Sequence, residues 1–267
     1  MTTTIGDAAV DVLNTPLPAD KLRLTRQYAK AWFDGQMAHD FQLPPPDQPA
    51  RPEKPELLMP RYMPKRRKID VKKNMVALLH AVAHIEFNAI NLAWDIVARF
   101  GGQMPREFTD DWVRVADDEG RHYDLLIARL ASYGALYGDL PAHDGLWQAA
   151  RDTAHDLKAR LAIVPMVLEA RGLDVTPAMI DRFQKAGDPD SAQSLKIIYD
   201  EEISHVFAGQ KWFNYLCQKE NINPEQSFQG LVRRYFKGRI KPPFNVAARD
   251  RAGFDQSFYL PLSTPQP

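Results

Sequence analysis

Two short E-x-x-H motifs hold the residue types best able to do chemistry in this chain. Glu119 and His122 form the first motif, and Glu202 and His205 form the second. Residues three positions apart share one face of a helix, so each motif places a carboxylate beside an imidazole. Apolar residues flank both motifs at helical spacing. Because burying such polar groups is costly without a partner, each motif needs a partner inside the protein.

Two further carboxylates, Glu86 and Glu169, lie in equally apolar helical patterns. Glu86 precedes Glu119 by 33 residues, and Glu169 precedes Glu202 by the same 33 residues. This recurrence is typical of two copies of one helical hairpin, in which the first helix gives a Glu and the second gives E-x-x-H. The alternative is a set of unrelated solvent-facing acids, for which both the apolar stripes and the equal spacing would be accidents.

Four carboxylates and two imidazoles at the centre of one bundle would repel one another unless cations lay between them. This is the ligand set of ferritin-like dimetal bundles. Oxygen-rich sites with two imidazoles favour iron first and manganese second, so we expect two Fe ions. The predicted metal ligands are Glu86, Glu119, His122, Glu169, Glu202 and His205.

An acidic residue directly precedes the Glu of each E-x-x-H motif. Metal-bound histidines usually donate their remaining N–H to a carboxylate or a carbonyl. We therefore predict that Asp118 supports His205 and that Glu201 supports His122. The alternative interpretation is a solvated acid at a helix edge.

Four long helical patterns must position these residues, and no convincing group of strands is present, so the sequence predicts an all-α fold. Pro165 lies one turn before Glu169 and should kink the third helix. In the second helix Thr109 is the expected N-cap and Gly134 the expected stop. A short further helical segment should begin at Thr176. The long patterns run over Val71–Phe100, Phe108–Gly134, Gly145–Arg171 and Ser191–Cys217.

The sequence outside these helices predicts two irregular extensions. Residues 1–69 should contain one helix, Lys21–Ala38, and a proline-rich arm, residues 70–219 the dimetal bundle, and residues 220–267 a basic segment with an extended tail. Aromatic and apolar residues in both extensions favour packing against the bundle over exposure. In the tail we expect Arg249 or Arg251 to pair with acidic residues.

Charge and cysteine content limit the function classes. The chain has a formal net charge of zero, yet residues 61–73 and 231–241 are strongly basic. Such stretches usually form a solvated face, and the alternative is a nucleic-acid surface. The single cysteine, Cys217, excludes an internal disulfide and a thiolate metal site. No signal peptide is apparent, nor an uninterrupted apolar run of about 18 residues, so we expect a cytoplasmic protein with no membrane partner.

Several blocks of the sequence resemble a known family. The blocks HIEFNAINLAWDIVARF, DDEGRH, LEARGLD, YDEEISHV with GQKWF, and PFNVAARDRAGF are similar to the ferritin-like family called domain of unknown function 455. The resemblance runs from about Pro60 to Phe254. It implies a ferritin-like four-helix bundle with a carboxylate-bridged metal pair, and it matches all six predicted ligands. More distantly, the ligand pattern resembles rubrerythrin and the diiron tRNA-modifying hydroxylases.

Three classes of function fit these residues. We favour a diiron oxidase or oxygenase that activates O₂ or peroxide for an unknown organic substrate, either a small molecule or one linked to a nucleic acid. The second class is an iron-handling or peroxide-scavenging protein. The third is an interaction module in which metal only stabilises the bundle. A homodimer is compatible with any of the three.

Overall fold

The computed structural model describes residues 4–63 and 71–263 of the chain. Most of these residues are helical, and the described backbone contains isolated β-bridges but no β-strand. The predicted all-α class is therefore confirmed. The chain divides into two compact units, residues 1–147 and residues 148–267.

The first unit is built on a long helical hairpin with two helices packed against it. Thr4 caps the first helix through the Asp7 N–H, at 3.1 Å, and Gly134 follows the fourth helix with a positive φ of 75° that favours glycine. The first helix packs on the third, and the second packs on the fourth. The bounds are α1 Ile5–Asn14, α2 Pro18–Phe33, α3 Val71–Phe100 and α4 Arg106–Ser132, after which α5, Gly145–Asp152, crosses the boundary between the units.

The second unit contains a second helical hairpin, with an interrupted first helix. Asp156 caps its beginning by accepting from the Ala159 N–H, and Asp188 caps the long eighth helix by accepting from the Ser191 N–H. Asn221 ends that helix in the left-handed conformation. The bounds are α6 Leu157–Ile163, a π-helical segment Val164–Glu169, α7 Ala170–Lys185, α8 Pro189–Glu220, α9 Pro224–Tyr235, α10 Val246–Arg251 and α11 Gln256–Ser263.

Three local predictions differ from the observed helices. The helix α1 was not predicted, and α4 begins at Arg106, so Thr109 lies inside it and contacts His39 Nε2 at 3.1 Å. The prediction of one continuous third helix over Gly145–Arg171 is wrong, because the chain leaves helical geometry between α5 and the extended residue Asp156. The kink expected at Pro165 takes the form of the π-helical segment.

The prediction that a separate short helix begins at Thr176 is also wrong, because α7 continues through Pro177. A proline inside a helix leaves the carbonyl four residues earlier without its usual donor. Here that carbonyl belongs to Leu173, and it accepts a hydrogen bond of 3.1 Å from Asn245 Nδ2. A tail side chain therefore replaces the bond that the proline removes.

The proline-rich arm is held to the first unit by backbone and side-chain hydrogen bonds. Ala50 N–H donates to the Leu13 carbonyl at 2.8 Å, and Leu58 N–H donates to the Ala142 carbonyl at 2.8 Å. Trp147 Nε1 donates to the carbonyl of Asp47 at 3.1 Å. These bonds satisfy arm groups that an extended chain would otherwise leave to water.

The C-terminal tail is helical in α10 and α11, which differs from the extended chain predicted for it. Arg249 anchors it through a two-pronged ion pair with Asp174, with Nε–Oδ1 at 2.9 Å and Nη2–Oδ2 at 2.7 Å. The guanidinium also lies against the rings of Phe244, Phe254 and Tyr259. Bidentate geometry and ring stacking are what arginine, and not lysine, provides at buried sites.

The helix α3 is long and apolar enough to cross a membrane by length and composition, but most of its apolar window is buried inside the protein. A core helix meets the same criteria.

Residues 64–70, the centre of the first predicted basic stretch, lie outside the described residues. The nucleic-acid interpretation of that stretch stays a prediction.

Lys21 is fully buried in the first unit, where Nζ donates to the Val12 carbonyl and to Asn91 Oδ1, both at 2.7 Å. Burial disfavours the charged form and, with a smaller effect from the Arg51 charge, lowers the pKa of Lys21 from 10.5 to about 7. Between these two values the unfolded chain holds the proton and the folded chain does not. The free energy of unfolding must therefore rise with pH across this window.

The variant Lys21→Met should remove this pH dependence. Between pH 7 and pH 9 the wild-type free energy of unfolding should rise by about 2 kcal/mol relative to the variant, since one pKa unit corresponds to about 1.4 kcal/mol. Urea unfolding at each pH measures the difference. Lys30→Met, at an exposed lysine on the same helix, should follow the wild type. Parallel curves for wild type and Lys21→Met would contradict the assignment.

Candidate metal centre

The first unit brings three of the predicted ligands together in a buried triad. His122 Nδ1 lies 3.2 Å from Glu119 Oε2 and 3.4 Å from Glu86 Oε2. One ligand atom from each of the three residues lies within 4.8 Å of the others. Glu86 is 3% exposed, and the other two are fully buried. The triad is a Glu/His cluster that can hold a metal ion.

The hairpin of α3 and α4 positions this triad through its apolar faces. On α3 the fully buried residues Leu79, Ala83 and Ile90 lie at helical spacing around Glu86. On α4 Ala116 and Leu126 are equally buried around the E-x-x-H motif. A helix with such a stripe turns that face towards its partner, so the polar residues on the stripe are carried into the interior.

The second unit places Glu202 and His205 side by side on α8. His205 Nδ1 lies 3.6 Å from Glu202 Oε2, and His205 is fully buried. Glu169 is the last residue of the π-helical segment, which packs against α8. The second hairpin therefore repeats the plan of the first, with one Glu on its interrupted first helix and the E-x-x-H pair on its second.

The π-helical segment changes the direction in which Glu169 points, since a π turn contains more residues than an α turn. Pro165 lies within it and packs against Gly209 of α8. A Cβ atom at Gly209 would lie 2.5 Å from both Cβ and Cγ of Pro165, so the close approach requires glycine at this position. The sequence predicts a kink here, but neither its π form nor the role of Gly209.

The first triad has more hydrogen-bond acceptors than its histidine can satisfy. Histidine Nδ1 can donate one hydrogen, yet the carboxylates of both Glu86 and Glu119 approach it. Two buried carboxylates and one imidazole concentrate negative charge where water is scarce. A divalent cation would neutralise that charge and use all three groups as ligands.

The two acids predicted to support the histidines are partly exposed. Asp118 Oδ1 accepts from Arg121 Nη2 at 2.6 Å on the same helix. The side chain of Asp118 is 20% exposed, and Glu201 on α8 is also intermediate in exposure. The assignments of Asp118 to His205 and of Glu201 to His122 stay predictions.

The variant Asp118→Asn should keep the fold and weaken metal retention by about 10–100-fold, the loss typical when a hydrogen-bond partner of a ligand is changed. Competition with a chelator measures it. Asp111→Asn is a matched control, because Asp111 is also 20% exposed and also faces an arginine three residues later on α4. Equal retention by both variants would assign Asp118 to the surface.

Aromatic residues that follow Glu86 and His122 in sequence form a group of their own in the first unit. Tyr123 follows His122, and its ring lies 5.5 Å from that of Phe87 and 5.3 Å from that of Tyr137. Burial raises the pKa of Tyr123. His84 Nδ1 lies 2.9 Å from the Tyr137 hydroxyl, so this histidine belongs to the aromatic group. Tyr137 comes from a loop after α4 and has no spacing pattern that could have revealed it.

Comparison with known proteins places these residues in a family. The family model described as "Protein of unknown function (DUF455)" matches residues 14–260. A protein of Haemophilus influenzae, described as "Uncharacterized protein", is 42% identical over 213 residues, which cover 78% of this chain and 74% of that protein. No solved structure matches the chain.

Proposed function

This chain belongs to the DUF455 family, and we propose that it is a dimetal carboxylate protein with a ferritin-like four-helix bundle, acting as an oxidase or oxygenase on an organic substrate. The observation that supports this most strongly is the buried triad of Glu86, Glu119 and His122. We propose that Glu169, Glu202 and His205 of the second hairpin form a second triad and join it to complete one centre. The repeated hairpin and the equal spacing of 33 residues support that step.

The donor atoms fit iron, with manganese as the second choice. Carboxylates with a small number of imidazoles suit hard and borderline ions, and a thiolate site is excluded by the single buried cysteine. Bound iron would supply the one-electron redox change that reduction of O₂ or peroxide requires.

The residues of the chain would hold, orient and enclose the metal ions. Glu86 and Glu119 would neutralise the charge of the ions with their carboxylates. His122 would be held in place by its position on a rigid, buried helix face. Because six protein ligands do not fill the coordination of two ions, positions would remain for an oxidant.

The substrate and setting are also proposals. We propose a small organic substrate and a cytoplasmic location, where a reducing environment would keep both iron and the lone Cys217 reduced. A homodimer is compatible with this arrangement.

Reaction with O₂ tests the proposed function. Protein loaded with ferrous iron without air should consume O₂ or peroxide much faster than the same iron in buffer, and Glu202→Ala should return the rate to that of buffer. Stopped-flow mixing and an oxygen electrode measure both rates. Ferrous protein that stays unchanged in air for hours would contradict redox catalysis and favour a metal-stabilised interaction module.

A further inference from the structure

A cavity of about 190 Å³ lies in the first unit between the arm and α3. Pro52, Pro55 and Leu57 of the arm form one side, and Phe87 and the loop residue Tyr137 contribute aromatic rings. The two rings are 5.7 Å apart and tilted by 47°. The volume is below the range of about 300–1,000 Å³ that accepts drug-sized ligands, so a compact molecule fits this cavity.

Arg51 provides the hydrogen-bond donor of the cavity. Its Nη2 lies 2.5 Å from Asp144 Oδ1 in an ion pair, which accounts for at most one of the two hydrogens on this buried nitrogen. Buried donors in native proteins nearly always have an acceptor. A ligand oxygen in the cavity would supply one.

The other polar groups of the wall are already engaged. His84 Nε2 lies 3.2 Å from the carbonyl of His143 and 3.1 Å from Asn88 Nδ2. His84 Nδ1 lies 2.9 Å from the Tyr137 hydroxyl, so both ring nitrogens already have partners. Asn88 Nδ2 donates to the His84 carbonyl at 2.8 Å. Recognition of a ligand therefore depends on Arg51 and on the aromatic rings.

The charge around the cavity favours a neutral ligand. Asp144 already balances Arg51, and Glu53 adds a second negative charge to the lining. A ligand carboxylate would meet that negative charge, whereas a neutral carbonyl oxygen would accept from Arg51 without repulsion.

We propose that this cavity binds a compact planar ring bearing a neutral amide-type carbonyl. The ring packs against Phe87 and Tyr137, and the carbonyl oxygen accepts from Arg51 Nη2. The Phe87 ring of the cavity lies 5.5 Å from that of Tyr123, and these two residues directly follow Glu86 and His122 in sequence. Binding depends on the arm, on α3 and on the loop that carries Tyr137, and it does not require metal at the triads.

Titration with benzamide, followed by saturation-transfer NMR, tests the proposal. Wild-type protein should bind it saturably with a dissociation constant of about 1 mM, in line with the affinity attainable by so small a ligand. Benzoate should bind more weakly because of its charge. Benzylamine, which has no carbonyl oxygen to accept from Arg51, should bind more weakly than benzamide. Non-saturable benzamide binding, or tighter binding of benzoate, would overturn the proposal.

Variants locate the binding. Arg51→Met should weaken benzamide binding about tenfold or more, as expected for loss of a hydrogen bond from a charged donor. Arg61→Met, at an exposed arginine later in the arm, should have no effect. Leu57→Trp should fill the cavity and abolish binding without changing Arg51, so it decides the matter if Arg51→Met fails to fold.

A metal-site variant separates this inference from the proposed function. Glu119→Gln should leave benzamide affinity unchanged, even if that variant no longer holds iron. Wild-type affinity in both Arg51→Met and Leu57→Trp would overturn the inference, whatever the metal content.

Discussion

The variant Glu119→Gln should lose iron more than about 100-fold more readily than the wild type, a larger loss than that of a residue outside the ligand set. The amide keeps the size of the side chain but removes the charge that binds a cation, at a fully buried position. It also leaves His122 and Glu86 with one fewer anionic neighbour. Metal analysis after dialysis against a chelator measures the loss.

Glu107→Gln is the matched control, because Glu107 lies on the same helix in an exposed first turn. It should keep the wild-type iron content. If the two triads form one centre, Glu119→Gln should lower the affinity for both ions. Loss of one ion with the other held at wild-type affinity would indicate two independent sites.

Replacing Gly209 with alanine should destabilise the protein and weaken metal binding together. The added Cβ would lie 2.5 Å from two atoms of the Pro165 ring, and a proline ring cannot rotate away. Overpacking of this kind costs about 1–3 kcal/mol, which exceeds the gain of up to about 1 kcal/mol from alanine in a helix. The relief would come from movement of the π-helical segment, and Glu169 at its end would move with it.

Gly172→Ala, on the neighbouring helix α7, should stabilise the protein, in contrast to Gly209→Ala. Nothing lies within 4 Å of a Cβ atom at Gly172, so the helix-propensity gain should remain and the free energy of unfolding should rise. Thermal unfolding and chelator competition measure both variants. A Gly209→Ala protein as stable as Gly172→Ala, with unchanged iron retention, would contradict the positioning role of the Gly209–Pro165 contact.

The helical hairpins and the residues of the buried Glu/His triad could be predicted because their signal is local and periodic. Apolar spacing on α3, α4 and α8 and the two E-x-x-H motifs require only neighbours within a few turns. The grouping of Glu86 with Glu119 and His122 then follows from packing two such stripes together.

The remaining features depend on contacts between distant parts of the chain. Pro177 alone predicts a helix boundary. The helix continues because Asn245, 68 residues later, donates to the Leu173 carbonyl. Arg51 has no recognisable motif, and its role in the cavity follows only from the arm lying beside Tyr137. Such long-range partners override local propensity, and no periodic pattern records them.

The most direct test of the central claim is X-ray absorption spectroscopy of the iron-loaded protein, combined with metal analysis. A shared dimetal centre predicts two iron ions per chain, about 3.5–4 Å apart, with ligands of oxygen and a minority of nitrogen and none of sulfur. One iron per chain, or two ions without an iron–iron signal at that distance, would contradict a shared centre of Glu86, Glu119, His122, Glu169, Glu202 and His205.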